Sequence, residues 1–564
     1  MRKHIMLDNN EYHGSSITSD DGNEIEAWET NMSAGRQLAE TVRTTLGPKG
    51  LDKMLITSDG KVVVTNDGAS ILDRIDISHP VAELIVNVAE QQDSKVGDGT
   101  TTAVLLAGEL LSEAETLLER GVHPTTVARG YHLAAAHAID VLSEQTVSIN
   151  FSDDERLREI ARTVVTGKWD DSGTDFLADK AVETVRSIER DGRVGFERVT
   201  RKTISGGSFY DSEVLNGLVI DMNESSADVV SPETSLPKRY DGATVALIDE
   251  ELSIDTAEGI GAVDLTSYED YEALQEYERD VYETYAEAIT SVGADVVFCQ
   301  QSIDEPVRYS LAESDVLSVE RTRRDELHKL ARATGAQPVP IDDLSTATVG
   351  EAKTVNRRPV GPTEITIVSG FDEFKQVSVL FRGGTEHVAD ETKRMLDNCF
   401  YALKLSLEDE AVVPGGGATE VELAQELREF ATGRAGKEQL AVEAFADALE
   451  TIPKTLAESG GMDPIDSLLE LRAAHHEGAY TTGIDLRAQS VTDVSDRGVL
   501  EPLYIKRHAI SSAAEAANMI VRVDDNVPVT GDHGDHEHDH DHGPGGVVHS
   551  TEGYPWAVGH SMGH

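Results

Sequence analysis

Helical periodicity fills this chain to about residue 150 and again from about 386 to 481, while residues from about 200 to 384 carry an α/β texture. That order limits the architecture more than any short motif does: an α/β segment is inserted between helical ones. The length of 564 residues agrees, since it suggests two to four domains. After a polar lead, residues 32 to 46 read as a helix broken by Leu46-Gly47-Pro48-Lys49-Gly50. The run Lys61 to Thr65 reads as a strand that ends in the turn Asn66-Asp67-Gly68. Within the insert, Ala243 to Ile248, Asp295 to Cys299 and Val377 to Phe381 are strand-like. The turn Pro414-Gly415-Gly416-Gly417 follows, then punctuation at Gly483-Ile484-Asp485 and Val499 to Leu503, and a final helix ending near Val523. No internal repeat of fixed period occurs.

The charge balance narrows the partners. Asp plus Glu number 103 against 49 Lys plus Arg, a formal net charge of −54. Such a chain repels nucleic acid and anionic membranes, so neither is expected as a partner. The acids are interspersed with regular periodicity, which favours a folded, heavily hydrated surface suited to a high-salt interior over disorder. Cys299 and Cys399 are the two cysteines and set up no disulfide framework. The N-terminus lacks an apolar leader and no run reaches the ~18 apolar residues of a membrane span. The expectation is a soluble, cytoplasmic protein.

Chemistry concentrates at Gly97-Asp98-Gly99-Thr100-Thr101-Thr102, which opens a helix with Ala103, Leu106, Ala107, Leu110, Ala114 and Leu117 on one face. At a helix N-terminus the first N–H groups lack intrahelical partners and the dipole is positive, so phosphate oxygens are favoured there. Asp98 would repel phosphates unless a divalent cation lay between, and reads as a magnesium ligand. The bland alternative is a Gly-Asp turn followed by a threonine-rich cap. Two further features are open. Gly259-Ile260-Gly261 leads into a helix with a stripe of Tyr268, Tyr271, Leu274, Tyr277, Val281, Tyr282 and Tyr285, either core or an exposed contact face. Beyond Asp525, His533, His536, His538, His540 and His542 alternate with acids; they could bind zinc or nickel, or form part of a flexible acidic tail.

The scattered turns resemble one family when taken together. Thr44-Thr45-Leu46-Gly47-Pro48-Lys49-Gly50, Thr65-Asn66-Asp67-Gly68, Gly97-Asp98-Gly99-Thr100-Thr101 and Arg382-Gly383-Gly384-Thr385-Glu386-His387 resemble the group II chaperonins, over residues 30 to 525. The resemblance implies a multidomain subunit of a homo- or hetero-oligomeric double ring that encloses unfolded proteins. Its parts would be a mostly α-helical equatorial domain (1–150 and 403–525), a small α/β intermediate domain (151–222 and 370–402), and an α/β apical domain (223–369). A helical lid protrusion would lie at about 251–283, putting the tyrosine stripe to lid or client contacts rather than core, and 526–564 would be the tail. The implied cofactors are ATP and Mg²⁺, with K⁺ a further candidate. By resemblance Thr45, Leu46, Gly47 and Pro48 meet the phosphates, Asp98 holds magnesium beside Gly99, Thr100, Thr101 and Thr102, and Asp67 lies near the γ-phosphate. Gly416 packs on the adenine side, Glu501 faces the ribose, and Lys168 belongs to the nucleotide-sensing loop Thr166-Gly167-Lys168.

The sequence departs from the family at one catalytic position. The aspartate that polarises the attacking water in the family is Asn398 here, by ungapped counts from both Arg382 and Gly415. Asparagine can orient water through its carbonyl oxygen but cannot take a proton, removing assistance worth about 10²- to 10⁴-fold. The neighbouring Asp397 projects about 100° away on a helix and does not simply substitute; the alternative is that Asp67 or bulk water takes the proton. Two functions follow: an ATP-hydrolysing chaperonin subunit, or an ATP-binding, hydrolysis-impaired structural subunit or holdase in a mixed ring. Trp169 is a milder departure, standing where a small residue is usual, and Met222 to Ser235 is longer than the family's equivalent.

Overall fold

The structure is a computed structural model, described for residues 21–56, 60, 62–75, 77, 79–190, 193–222, 236–254, 268–361, 363–370 and 376–524; residues 21–28, 221–222 and 268–274 are described by backbone alone. Both ends of the chain build one helical body. Helices Asp21–Arg43, Pro80–Val96, Thr100–Glu119 and Pro124–Glu144 come from the first part, and Ala418–Thr432, Glu438–Leu449 and Leu503–Val521 from the last. Their shared core joins Val42, Leu110 and Tyr131 to Phe445, Leu449, Ile510 and Val521. The Tyr131 ring meets Phe445 edge-on at 5.7 Å. Thr100–Glu119 buries the six predicted residues and also Val104, Leu105 and Leu111. A helix apolar on every side belongs at the centre of a body, and this one is. A three-stranded sheet, Leu500–Pro502 beside Ala411–Pro414 beside Val147–Ser148, joins the two ends again.

The first helix begins earlier and stops sooner than the expected 32 to 46. Its polar lead carries three Glu and one Ala, good helix formers. At the other end, Thr45 and Leu46 turn their N–H groups back to the carbonyls of Val42 and Arg43, so the chain is already turning at Thr45.

A second body lies on both sides of the insert in sequence. It packs helices Asp154–Val165, Asp171–Ile188 and Glu386–Asp409 against a sheet in which Val377–Gly383 runs parallel to Val199–Ser205 and antiparallel to Glu213–Asn216. Leu157, Val185, Phe381 and Phe400 are among its buried residues. The third body is a seven-stranded mixed sheet. Leu317–Val319, Val296–Cys299 and Arg239–Ile248 are parallel neighbours, followed by antiparallel Gly350–Val360, Thr363–Ser369 and Leu218–Met222, with Pro338–Val339 alongside Arg239–Ile248. Strand alternation sends Leu247, Phe298 and Val355 to one face and Ala246, Val297 and Cys299 to the other, and both faces are covered.

The tyrosine stripe is in part a correction. The expected helix forms, over Tyr268–Ser291. Tyr282 and Tyr285 nonetheless pack onto the sheet core, and their hydroxyls donate to Asp304 Oδ2 at 3.0 Å and to the Ser253 carbonyl at 3.3 Å. These two half-buried rings contribute to packing on the sheet core, and each hydroxyl has the partner that a tyrosine packed there needs. Tyr277 is exposed. The side chains of Tyr268, Tyr271 and Leu274, residues 255–267 of the expected protrusion, 223–235 of the apical entry and the tail histidines lie outside the described residues.

Candidate nucleotide site

The break after Arg43, the turn at Asp67 and the start of Thr100–Glu119 form the floor of a cavity of about 740 Å³, and the second body covers it. Its lining includes Thr45, Leu46, Gly47, Pro48, Asp67, Asp98, Gly99, Thr100, Thr101, Thr102, Lys168, Asn398, Gly416 and Glu501, which come from widely separated stretches of sequence.

On the floor, Gly97 ends one helix and Gly99 caps the next, both in the left-handed region, so that the chain reverses around Asp98. The first-turn N–H groups at Thr100 to Thr102 have no intrahelical carbonyl to reach and face the anion-favouring end of the dipole. Asp98 Oδ1 accepts from Gly99 N at 2.7 Å, and Gln92 Nε2 fixes the Asp98 carbonyl at 2.8 Å. Burial pushes the Asp98 carboxyl above its ordinary range; Lys168, the Gly99 N–H and Lys506 pull it back, and Asp67 adds to the rise. A largely enclosed carboxylate short of compensating charge, next to glycines and threonine hydroxyls, is a hard-oxygen donor set that fits magnesium shared with phosphate oxygens. Among the described residues no three His, Cys, Asp or Glu side chains gather as a metal group by themselves.

Asp67 caps Gly68–Leu72 by accepting from Ser70 N at 2.9 Å, with Arg394 Nη1 3.9 Å from its other oxygen. Thr45 lines the cavity, yet its hydroxyl donates to the Val42 carbonyl at 2.8 Å and stands 3.3 Å from the Thr101 hydroxyl. Its side chain braces the turn while the residue lines the cavity. At the opposite end, Gly416 has φ +60°, and a Cβ there would sit 2.8 Å from the Ile484 carbonyl oxygen. Only glycine lets the backbone approach Thr482–Asp485 so closely.

The roof comes from the second body. Thr163 accepts from Leu500 N at 3.2 Å and donates to the Gly498 carbonyl at 3.3 Å, holding Asp154–Val165 over the cavity with Glu159 and Arg162. Burial, with Arg394 nearby, lowers the Lys168 pKa, while Asp98, Glu391 and Asp67 oppose the change. The preceding Gly167 has φ +86°, and a Cβ there would lie 1.6 Å from the Pro48 carbonyl oxygen. The loop Thr166-Gly167-Lys168 therefore rests directly on the floor loop. Trp169 stacks on Phe209 with ring centroids 4.3 Å apart, which gives the unexpected bulk a place in the second body's core.

Asn398 lies on Glu386–Asp409 and lines the cavity. Asp397 does not line it; its carboxylate is paired with the Arg201 guanidinium on Val199–Ser205. The 100° step thus aims the neighbouring acid at a different partner, as helical geometry predicts.

Sequence reasoning missed the cations at and beside the cavity, Lys506 and Arg394 among them. Lys506 is buried with its Nζ 2.5 Å from Glu420 Oε1 and 2.8 Å from Glu501 Oε2. Glu501 lies only five residues before it, but Glu420 comes from another helix, and no local pattern brings the three together. Arg394 stands four residues before Asn398, on the same face of one helix, and that spacing was available as a signal.

A helical body closed by both chain ends, a second body over the cleft, and a sheet domain inserted in the second body's sequence together define a multidomain protein with one enclosed site among the described residues. The model of the TCP-1/cpn60 chaperonin family matches residues 38–529. A thermosome subunit of Methanopyrus kandleri is 45% identical over 505 residues, 89% of this chain and 91% of that protein. Thermosome subunit alpha of Halobacterium salinarum is 43% identical over 501 residues, 89% and 88% of the two chains. Thermosome subunit beta of Archaeoglobus fulgidus is 44% identical over 511 residues, 90% and 92%. The chain belongs to the TCP-1/cpn60 chaperonin family. It is accordingly an ATP-dependent, ring-forming chaperone subunit and an ATPase.

Proposed function

We propose that this subunit binds ATP with magnesium in the 740 Å³ cavity and couples closure of the second body to the enclosure of unfolded proteins inside a cytoplasmic double ring. The observation that carries the reading is the meeting of the helix N-terminus at Thr100, the carboxylates of Asp67 and Asp98, Lys168 and Asn398 around one cavity. In this reading Asp98 holds Mg²⁺, which supplies charge neutralisation to the phosphates when bound. The N–H groups of Thr100 to Thr102 receive phosphate oxygens, with Gly47 and Pro48 alongside. Lys168 senses the terminal phosphate, Gly416 takes the adenine side and Glu501 the ribose. K⁺ is a further candidate ion. The equatorial, intermediate and apical boundaries set out from the sequence go with this proposal. Ring assembly is supported by the hairpin Lys53–Ile56 with Val62–Thr65, which exposes Met54, Ile56, Val62 and Val64 beside Leu51. Apolar side chains so grouped mark a contact surface for another protein.

The same cavity supports slow hydrolysis as a second reading. Asn398 occupies the place of the base, and Asp397 is held by Arg201, so no carboxylate on that helix turn reaches the water. Replacing Asn398 with Asp in the assembled protein, in multimolar KCl, tests it by single-turnover and steady-state ATP hydrolysis. The expected result is a chemical step faster by about 10²-fold or more in the variant. Equal rates would reject slow hydrolysis and leave an ordinary ATPase. Native mass spectrometry of the ring from its own cells decides between a single-subunit ring and a mixed one.

A further inference from the structure

Lys506 is the one fully desolvated cation at the nucleoside end of the cavity among the described residues, and it joins three elements. It sits in the first turns of Leu503–Val521, with Nζ 2.5 Å from Glu420 Oε1 on Ala418–Thr432 and 2.8 Å from Glu501 Oε2 on Leu500–Pro502. Lys506 and Glu420 are nearly inaccessible, whereas the Glu501 side chain keeps 27% exposure, directed at the cavity it lines. The Glu501 Oε1 atom is also close to Gly415, where a Cβ would stand 2.7 Å away. Glu501 is therefore paired on one side with an ammonium, with the Gly415 backbone close on another. A long acidic side chain left to itself would sample several rotamers and lose that freedom on being ordered; here the ion pair to Lys506 restricts it before any ligand arrives.

We infer that Lys506 is a positioning residue that holds Glu501 as a fixed, ionised acceptor for a ribose hydroxyl, so that this subunit selects ribonucleotides over deoxyribonucleotides. The inference rests on the reading of Glu501 as ribose-facing. Two carboxylates, Glu420 and Glu501, converge on one lysine, and without it like charges would face each other in a desolvated place. Glu501 would then rotate away or take up a proton, and either change removes the acceptor. A hydrogen bond to an ionised group commonly carries a factor of about 10 to 100 in affinity, by its ordinary energy range. Phosphate and metal contacts are common to both nucleotide types, so any effect of the Lys506 charge on Asp98 moves the affinity of ATP and of its deoxy analogues together.

The test compares ATP with 2′-deoxy-ATP and 3′-deoxy-ATP by calorimetry on the full-length assembled protein in concentrated KCl. Wild type should prefer ATP over at least one deoxy analogue by about tenfold or more. Lys506→Met should lose affinity for ATP until the preference falls to about twofold, with affinity for the discriminated analogue little changed, and Lys506→Arg should restore the preference. Because a lone methionine leaves two buried carboxylates facing each other, the double variant Lys506→Met with Glu420→Gln is measured in parallel and should show the same collapse while folding. Absence of any preference in wild type would overturn the ribose reading of Glu501. A preference that persists without Lys506, or equal losses for all nucleotides, would overturn the positioning role alone.

Discussion

Gly167→Ala is the most direct test of how the roof meets the floor. The methyl group would be built 1.6 Å from the Pro48 carbonyl oxygen and 2.3 Å from its carbon, where Cβ atoms essentially never come within 3.0 Å. Backbone faces backbone, so no flexible side chain can yield and the two loops must part by about 1.4 Å. Alanine at φ +86° adds about 1–2 kcal/mol of left-handed strain. Overpacking adds about 1–3 kcal/mol. At about 1.4 kcal/mol per decade, the closed arrangement loses roughly 30-fold to 3,000-fold in population. Pro48 is the one phosphate-side residue displaced and the other floor groups stay in place, so ATP affinity measured by calorimetry should fall far less than turnover does. Turnover that depends on Lys168 and Asn398 reaching the nucleotide should fall by at least about 30-fold, in wild-type and Asn398→Asp backgrounds alike. Unchanged turnover would refute the idea that this contact is the closed, productive state. A matching fall in ATP affinity would show that the damage lies in the floor instead.

Two other substitutions follow from buried acids. Burial raises the Asp98 pKa in the folded protein above its value of 3.8 in the unfolded chain, so the folded state binds the extra proton and nucleotide-free stability falls as pH rises through that window. Asp98→Asn should therefore melt higher than wild type at neutral pH without ligand, yet gain no stability from Mg²⁺ with ATP; a lower melting point would contradict the sign. Glu450 is fully buried between two arginines: Arg428 donates to it at 2.7 and 2.9 Å, and Arg472 Nε at 2.7 Å. Burial alone would raise its pKa, but the guanidiniums outweigh it and hold the carboxyl below the usual 4.5. Its stabilisation is present above that value and is lost as pH falls through the lowered folded value. The arginines keep some water, so Glu450→Gln should cost about 2 kcal/mol at neutral pH and remove this acid-side loss, read by thermal melts across pH.

Much of the fold was legible because its signals are local. The helix from Thr100, the strand Val377–Gly383 and the turn at Asn66 to Gly68 each follow from period, glycine and cap chemistry within a few residues. The tyrosine helix was legible as a helix but not in its burial, since Tyr282 depends on Asp304 and Tyr285 on Ser253, and periodicity does not name a partner. Thr45 was legible as part of the break after the first helix, while the internal use of its hydroxyl required the position of Val42.

By itself, the sequence determined the element types, the insertion of the α/β segment, the helix N-terminus at Thr100 and the asparagine at position 398, because these depend on residue identity and short spacing. Tertiary structure alone decided that Asp397 turns to Arg201, that Gly167 rests on Pro48, and that Lys506 lies between Glu420 and Glu501. Those facts join residues 86 positions apart for Lys506 with Glu420 and 196 apart for Arg201 with Asp397. Desolvated charge and backbone contact act through space, where one-dimensional patterns carry no distance.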